Sequence, residues 1–446
     1  MTERTLIKNI SIINEGQIIV TDLLIHNGLI QKIGQLNDDI NAKIIDGTGK
    51  YLFPGIIDGQ VHFREPGLTH KGNLYTESKA AVAGGVTSFI DMPNTFPNVL
   101  SIEILNEKYR IASEQSLANF GFFLGVNGDN IDEVIKLDTT KLLGVSDDGL
   151  YFTKKGNLLA DNPETMEKLF ANCKSIIAMH SEKEQIVEAN ENIYREKFGE
   201  NVPIEFHPLI RSEKACYEAT KRAIDLANKH NARLHILHLT TEAETHLFRN
   251  DIPLQEKNIT TEVSVHHLWF SDKDYKRLGT LIKWNPAIKT EVDKIGLFNA
   301  LLDDKIDIIT TDHAPHTFEE KQKTYFESMS GGPMVQHSLN IMLEFYKQGL
   351  ISLEIIAEKM CHNPATLYRI EKRGFIREGY FADLVIVDLN TSWTVSKENI
   401  LYKCGWSPLE GTTFQTKVTH TIVNGNLVYD NGVFNEKTKG QAFSTR

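Results

Sequence analysis

Between residues 55 and 371 the chain alternates short apolar runs with amphipathic, helix-like stretches, and this alternation narrows its possible folds more than any other feature. Eight runs have the length and composition of buried parallel strands: residues 55–62, 85–92, 118–126, 142–148, 175–180, 232–239, 260–266 and 306–312. Residues 213–229 read as one of the intervening helices, with Ser212 as N-cap and Cys216, Ala219, Ala223 and Ala227 along one face. Eight strands joined by helical crossovers predict an α/β protein, a (β/α)8 TIM barrel. The sequence has no repeat at solenoid periods and no low-complexity segment.

Both ends of the chain depart from this pattern. Near the start, Asn27-Gly28 stands between β-prone runs, a strong hairpin signal. Near the end, residues 382–388 read as a buried strand, and Asn424-Gly425 and Asn431-Gly432 mark turns on either side of Leu427, Val428 and Tyr429. The expectation is one small β-sandwich-like domain assembled from residues 1–53 and 378–446, with the barrel occupying 54–377. A chain of 446 residues has the length for both.

Composition excludes several classes. The net charge of −11 argues against a nucleic-acid partner, whose phosphates call for a basic surface. The N-terminal apolar stretch is broken by Asn14, Glu15 and Gln17, and no run is long enough to span a bilayer, so no membrane partner is expected. Cys173, Cys216, Cys361 and Cys404 form no CxxC pair and read as reduced thiols packed in the core, which gives a cytoplasmic expectation.

Five of the apolar runs end in residues that can bind a metal: Gln60-Val61-His62, Asp147-Asp148, Met179-His180, His235-Ile236-Leu237-His238 and Thr311-Asp312-His313. In a barrel these carboxyl ends converge on one mouth, so histidines and aspartates distant in sequence become neighbours. A lone histidine at a strand end is more often a hydrogen-bonded structural residue, and Asp147-Asp148-Gly149 alone is a turn. Their coincidence at five ends points instead to a metal site built from imidazole and carboxylate ligands. Of the two aspartates, Asp148 shares the strand face of Gly144 and Ser146 and is the preferred ligand.

Several motifs carry a resemblance. His62-Phe63-Arg64-Glu65-Pro66-Gly67 resembles the dihydroorotase signature of the amidohydrolase superfamily. Asp91-Met92-Pro93-Asn94-Thr95, Ile282-Lys283-Trp284-Asn285-Pro286, Thr311-Asp312-His313-Ala314-Pro315-His316 and Ser407-Pro408-Leu409-Glu410-Gly411 are similar to further motifs of that family. The resemblance implies metal ligands at His62, Asp148, His180, His238 and Asp312, with Asp312 also moving the proton. It implies Arg64, Asn94 and His316 on a substrate carboxylate and Asn285 on the ring amide. The implied cofactor is Zn2+, one or two per chain, and the implied reaction is reversible hydrolysis of dihydroorotate to N-carbamoyl-aspartate in pyrimidine synthesis. A homodimer is the implied assembly.

Two departures stand out. The family's first strand carries His-x-His where this chain has Gln60, and an amide oxygen is a weak ligand. The fourth strand carries lysine in many relatives and aspartate here. The loop Ser330-Gly331-Gly332-Pro333 also differs from the commoner form and is assigned no contact, and the Lys- and Glu-rich segment after Pro315 is a candidate lid. Two competing readings follow. One is a hydantoinase or allantoinase, which Arg64 disfavours because such substrates lack the ring carboxylate. The other is a catalytically inactive partner subunit of aspartate transcarbamoylase, which Gln60 keeps open. The remaining histidines, His207 and His337 among them, are read as turn, helix or surface residues, His313 as packing, and His266-His267 as one buried and one exposed residue of a strand.

Overall fold

Tight two-residue turns build the sheet at the chain ends, because both of their residues sit at positive φ, where Asn and Gly are least strained. The computed structural model describes residues 4–37, 41–150 and 158–445. Strands β1 (Arg4–Asn14), β2 (Gln17–His26) and β3 (Leu29–Gly34) follow one another through Glu15-Gly16 (φ 49° and 74°) and Asn27-Gly28 (φ 54° and 81°). The second turn is the one legible in the sequence, whereas Glu15-Gly16 lacks the Asn and passes unnoticed there. β4 (Ala42–Asp46) and β5 (Tyr51–Pro54) both run parallel to β1.

Eight barrel strands come next. They are β6 (Ile56–Val61), β7 (Val86–Asp91), a third strand in two pieces, β8 (Asn119–Phe122) and β9 (Leu124–Gly125), then β10 (Gly144–Ser146), β11 (Ile176–Met179), β12 (Arg233–Ile236), β13 (Ile259–Ser264) and β14 (Ile308–Thr310). All neighbours pair in parallel, and a parallel bridge from Val61 to His313 brings β6 beside β14 and closes the ring. The third strand breaks at Phe123: β8 pairs with β7 and β9 with β10. The helix Glu213–His230 carries the expected cap, Ser212 accepting from the Ala215 amide, and buries Cys216, Ala219, Ala223 and Ala227.

The chain then returns to the first sheet with β15 (Leu384–Asp388), crosses a short ribbon of β16 (Trp393–Thr394) and β17 (Thr413–Phe414), and ends in β18 (Lys417–Val423), β19 (Asn426–Asp430) and β20 (Val433–Phe434). The resulting nine-stranded sheet has the order β20-β19-β18-β15-β5-β1-β2-β3, with β4 beside β1. Strand alternation explains how it joins the barrel. Leu384 and Ile386 of β15 point into the sheet's own core with Ile10, Leu23 and Leu52, whereas Val385 and Val387 point into the barrel's outer core. Residues 1–3, 38–40 and 446 of the expected β domain lie outside the described residues. Among the described residues no helix is long and apolar enough to cross a membrane.

Candidate active site

The carboxyl ends of the barrel strands converge on a small cavity lined by His62, Arg64, Asn94, Asp148, Gly149, Trp284, Asn285, Asp312, Ala314, Ser330 and Gly331. Six of the residues singled out from sequence therefore line one cavity. His180 and His238 lie behind Asp148, buried. His316 lies behind Arg64: its Nε2 is 3.1 Å from the guanidinium and 3.0 Å from the Ser330 carbonyl oxygen, and its Nδ1 accepts from Lys71 Nζ at 3.0 Å.

His62 and His180 are each oriented by a specific partner. His62 Nδ1 donates to Asn94 Oδ1 at 2.7 Å, which turns Nε2 toward Asp312 Oδ1 (3.1 Å) and Asp148 Oδ2 (3.2 Å). His180 Nε2 donates to Glu182 Oε2 at 2.9 Å, and Glu182 is in turn held by Arg211. That leaves His180 Nδ1 facing His238 Nε2 at 3.1 Å and Asp148 Oδ1 at 3.5 Å. His238 Nε2 lies 3.8 Å from the same Asp148 oxygen. Asp147 is used differently: its carboxylate accepts from the amides of His180 (3.0 Å) and Leu159 (2.7 Å), shaping the loop. Gln60 Nε2 donates to Asp148 Oδ2 at 3.0 Å. Arg64, His238 and Asp312 all adopt left-handed backbone (φ 70°, 35° and 44°), a strained conformation for residues with a Cβ and a recurrent feature of functional sites.

The electrostatics follow from charge crowded into a buried space. Burial alone would pull the His62 imidazole down, but Asp148 and Asp312 outweigh it and hold it up at about 9. Burial is likewise overcome at His180, raised to about 10 by Asp148 and Glu182. Burial would raise Asp148, yet His62, His180 and His238 carry it well below the ordinary carboxylate value. Burial raises Asp312, with His62 opposing. On the cation side, burial, with Arg64 adding to it, drives His316 far down, so this ring is neutral between two cations.

The donor set fits a divalent metal. Asp148, His180 and His238 form one group of ligand atoms, and His62, Asp148 and Asp312 another, each within 4.8 Å of one another and all buried. In these groups imidazolium protons balance the carboxylates. A cation placed there supplies the same charge to neutral imidazoles, and metal binding of this kind displaces protons.

Several partners escape sequence reading. Glu182 stands two residues after His180 and carries a faint signal. Arg211 and Lys71 carry none, because only the fold brings them in. The loop of residues 330–333 corrects an expectation: Ser330 and Gly331 line the cavity, where the sequence assigned this loop no contact. The segment after Pro315 is pinned, since the fully buried Lys321 ammonium donates to the carbonyls of Lys283 (3.1 Å), Met329 (2.8 Å) and Gly331 (2.7 Å). His266 and His267 are both buried, on the short helix Val265–Trp269 rather than on a strand, and His266 stacks on Trp284. His207 and His337 are buried too, and His207 bonds the Trp284 carbonyl oxygen at 2.6 Å.

The chain resembles known proteins over nearly its whole length. Residues 51–428 match the Amidohydrolase family. A dihydroorotase of Methanosarcina acetivorans is 31% identical over 97% of this chain and 93% of its own length. A dihydroorotase of Pyrococcus abyssi is 32% identical over 96% of this chain and 95% of its own. Among solved structures, the L-hydantoinase (dihydropyrimidinase) of Arthrobacter aurescens superposes with a TM-score of 0.90 at 25% identity, covering 100% of both chains.

Proposed function

The chain belongs to the amidohydrolase family, and from that premise we propose that it is a zinc-dependent dihydroorotase, hydrolysing dihydroorotate reversibly to N-carbamoyl-aspartate. A divalent ion held among His62, Asp148, His180, His238 and Asp312 would polarise the ring carbonyl and lower the pKa of a water. The remaining chemistry belongs to side chains of this protein. Asp312, on the cavity wall and raised by burial, takes a proton from the attacking water and returns it to the departing ring nitrogen. Arg64 holds the ring carboxylate through the guanidinium donors not committed to the Pro315 carbonyl. Asn94 keeps His62 oriented through Oδ1, which leaves its amide nitrogen, lying against Gly149, for the ring carboxylate, and Asn285 takes the ring amide. His316 stands beside Arg64 at the carboxylate end of the cavity, held in place by Lys71 on Nδ1 and the Ser330 carbonyl on Nε2.

Arg64 carries the choice of substrate. It is a buried guanidinium lining the same cavity as Asp312, and it suits a ring bearing a carboxylate; hydantoin and allantoin have none to offer it. The test is hydrolysis of dihydroorotate, hydantoin and allantoin by protein stripped with chelator and reloaded with Zn2+. Turnover of dihydroorotate alone is the expected result. No turnover by folded, metal-loaded protein would leave the partner-subunit reading, and preference for hydantoin would leave the hydantoinase one. The proposal includes a cytoplasmic homodimer, and a division into a β domain of residues 1–53 with 378–446 and a barrel of 54–377.

A further inference from the structure

The two candidate ligand groups share Asp148 but differ in what surrounds them. We propose that this chain holds one tightly bound divalent cation, on Asp148, His180 and His238, and that Gln60 keeps the adjoining corner of His62 and Asp312 from binding a second with comparable affinity. The inference rests on the metal-dependent reading above and adds which corner is filled.

Three observations carry it. First, the donor atoms differ. Asp148, His180 and His238 offer two imidazoles and a carboxylate, a familiar three-ligand set for catalytic zinc, whereas the other corner offers one imidazole and two carboxylates. Second, the two oxygens of Asp148 are divided between the corners. Oδ1 faces His180 and His238, at 3.5 and 3.8 Å, while Oδ2, on the His62 side, already accepts from Gln60 Nε2 at 3.0 Å. An ion in that corner competes with this hydrogen bond for the same oxygen. To help bind it, Gln60 must rotate its amide and offer Oε1, a neutral oxygen that ranks below imidazole as a ligand. In the observed orientation Oε1 is buried without a partner, and so is Nδ1 of His238. Third, the orienting partners differ in strength. His180 donates to the Glu182 carboxylate, backed by Arg211, and a carboxylate partner makes an imidazole a better ligand. His62 donates to the neutral amide oxygen of Asn94. The second corner thereby leaves Asp312 uncommitted to a metal.

The test counts ions. Wild type, Gln60→His, His62→Ala and His180→Ala are stripped with chelator, checked for folding by circular dichroism, reloaded with excess Co2+, desalted, and assayed by atomic emission with the cobalt absorption spectrum as a second readout. Wild type should retain about one ion, Gln60→His about two, His62→Ala about one and His180→Ala almost none, with any second ion on wild type held at least about 10²-fold more weakly. Two tightly held ions on wild type, or loss of the ion from His62→Ala, overturns the inference and leaves the metal-dependent reading standing. Gln60→His remaining at one ion overturns the role given to Gln60. Folded wild type retaining no ion overturns both. Should His180→Ala fail to fold, the other three chains decide the question.

Discussion

The barrel holds two buried polar clusters built from the same residue types, one at its mouth and one a layer deeper, and they differ in how fully they satisfy themselves. In the deeper layer, Asp58 accepts from the Thr311 hydroxyl (2.6 Å), the Thr311 amide (3.1 Å) and the Gln60 amide (3.3 Å). Glu262 accepts from His235 (3.0 Å), Thr310 (2.9 Å) and the His238 amide (3.3 Å), and the other nitrogen of His235 reaches Thr260. At the mouth, by contrast, the ligand nitrogens of His180 and His238 face each other at 3.1 Å, and Nδ1 of His238 and Oε1 of Gln60 have no partner. Buried polar groups are normally satisfied, and at the mouth the incomplete ones include converging ligand atoms beside a carboxylate, an arrangement that a cation would complete. Histidine and aspartate in a barrel core do not by themselves indicate chemistry; ligand atoms that converge without satisfying one another do.

That contrast can be broken at either cluster. The largest effect should come at the mouth. Asp312→Asn removes the proton carrier, and turnover of dihydroorotate should fall about 10²- to 10⁴-fold, measured as kcat on metal-loaded protein. Arg64→Met comes next: kcat/KM for dihydroorotate should drop about 10- to 10²-fold, the loss of a charged hydrogen bond, with the melting temperature little changed. Loss of turnover together with a lowered melting temperature would mean that Arg64 supports the fold and does not read the carboxylate.

Smaller effects probe the framework. Gly149 has φ 71°, and a Cβ there would fall 2.0 Å from Nδ2 of Asn94, the residue that orients His62. Gly149→Ala should therefore cost about 1–2 kcal/mol of stability in a denaturant melt and lower kcat as well.

The smallest effect lies in the deeper layer and is read in pH. Burial raises the Asp58 carboxyl to about 7. The folded chain thus holds this proton more tightly than the unfolded chain, so the associated stability is complete below about pH 4 and is lost as pH rises through about 7. Asp58→Asn keeps an uncharged group there at every pH. Its melting temperature should fall less than that of wild type between pH 5 and pH 8, by about 2–4 °C. Asp147, raised to about 7 by burial as well, is present in both chains and drops out of the difference. Parallel pH curves for the two chains would show that Asp58 is ionised in the fold.

Much of the fold could be read from the sequence because strand and helix leave periodic marks. All eight barrel runs correspond to strands, and Asn27-Gly28, Asn424-Gly425 and Asn431-Gly432 all turn with positive φ at both residues. The third run is the instructive case: residues 118–126 look continuous in composition, but a break at Phe123 divides its pairing between two neighbours, and hydrophobicity does not register where a strand changes partner. His266 and His267 misled for a related reason, since a strand that passes into a helix after Ser264 changes its side-chain period within one residue.

The sequence alone determined the alternation of strands and helices, the turns, and the residues carried to the strand ends, because each depends on local period and residue type. The tertiary structure decided which nitrogen of each histidine faces inward, which of Asp147 and Asp148 joins the histidines, and that Glu182, Arg211 and Lys71 stand behind the site. Those outcomes depend on partners distant in the chain and on hydrogen bonds that exist only once the barrel has closed, so no local pattern can encode them.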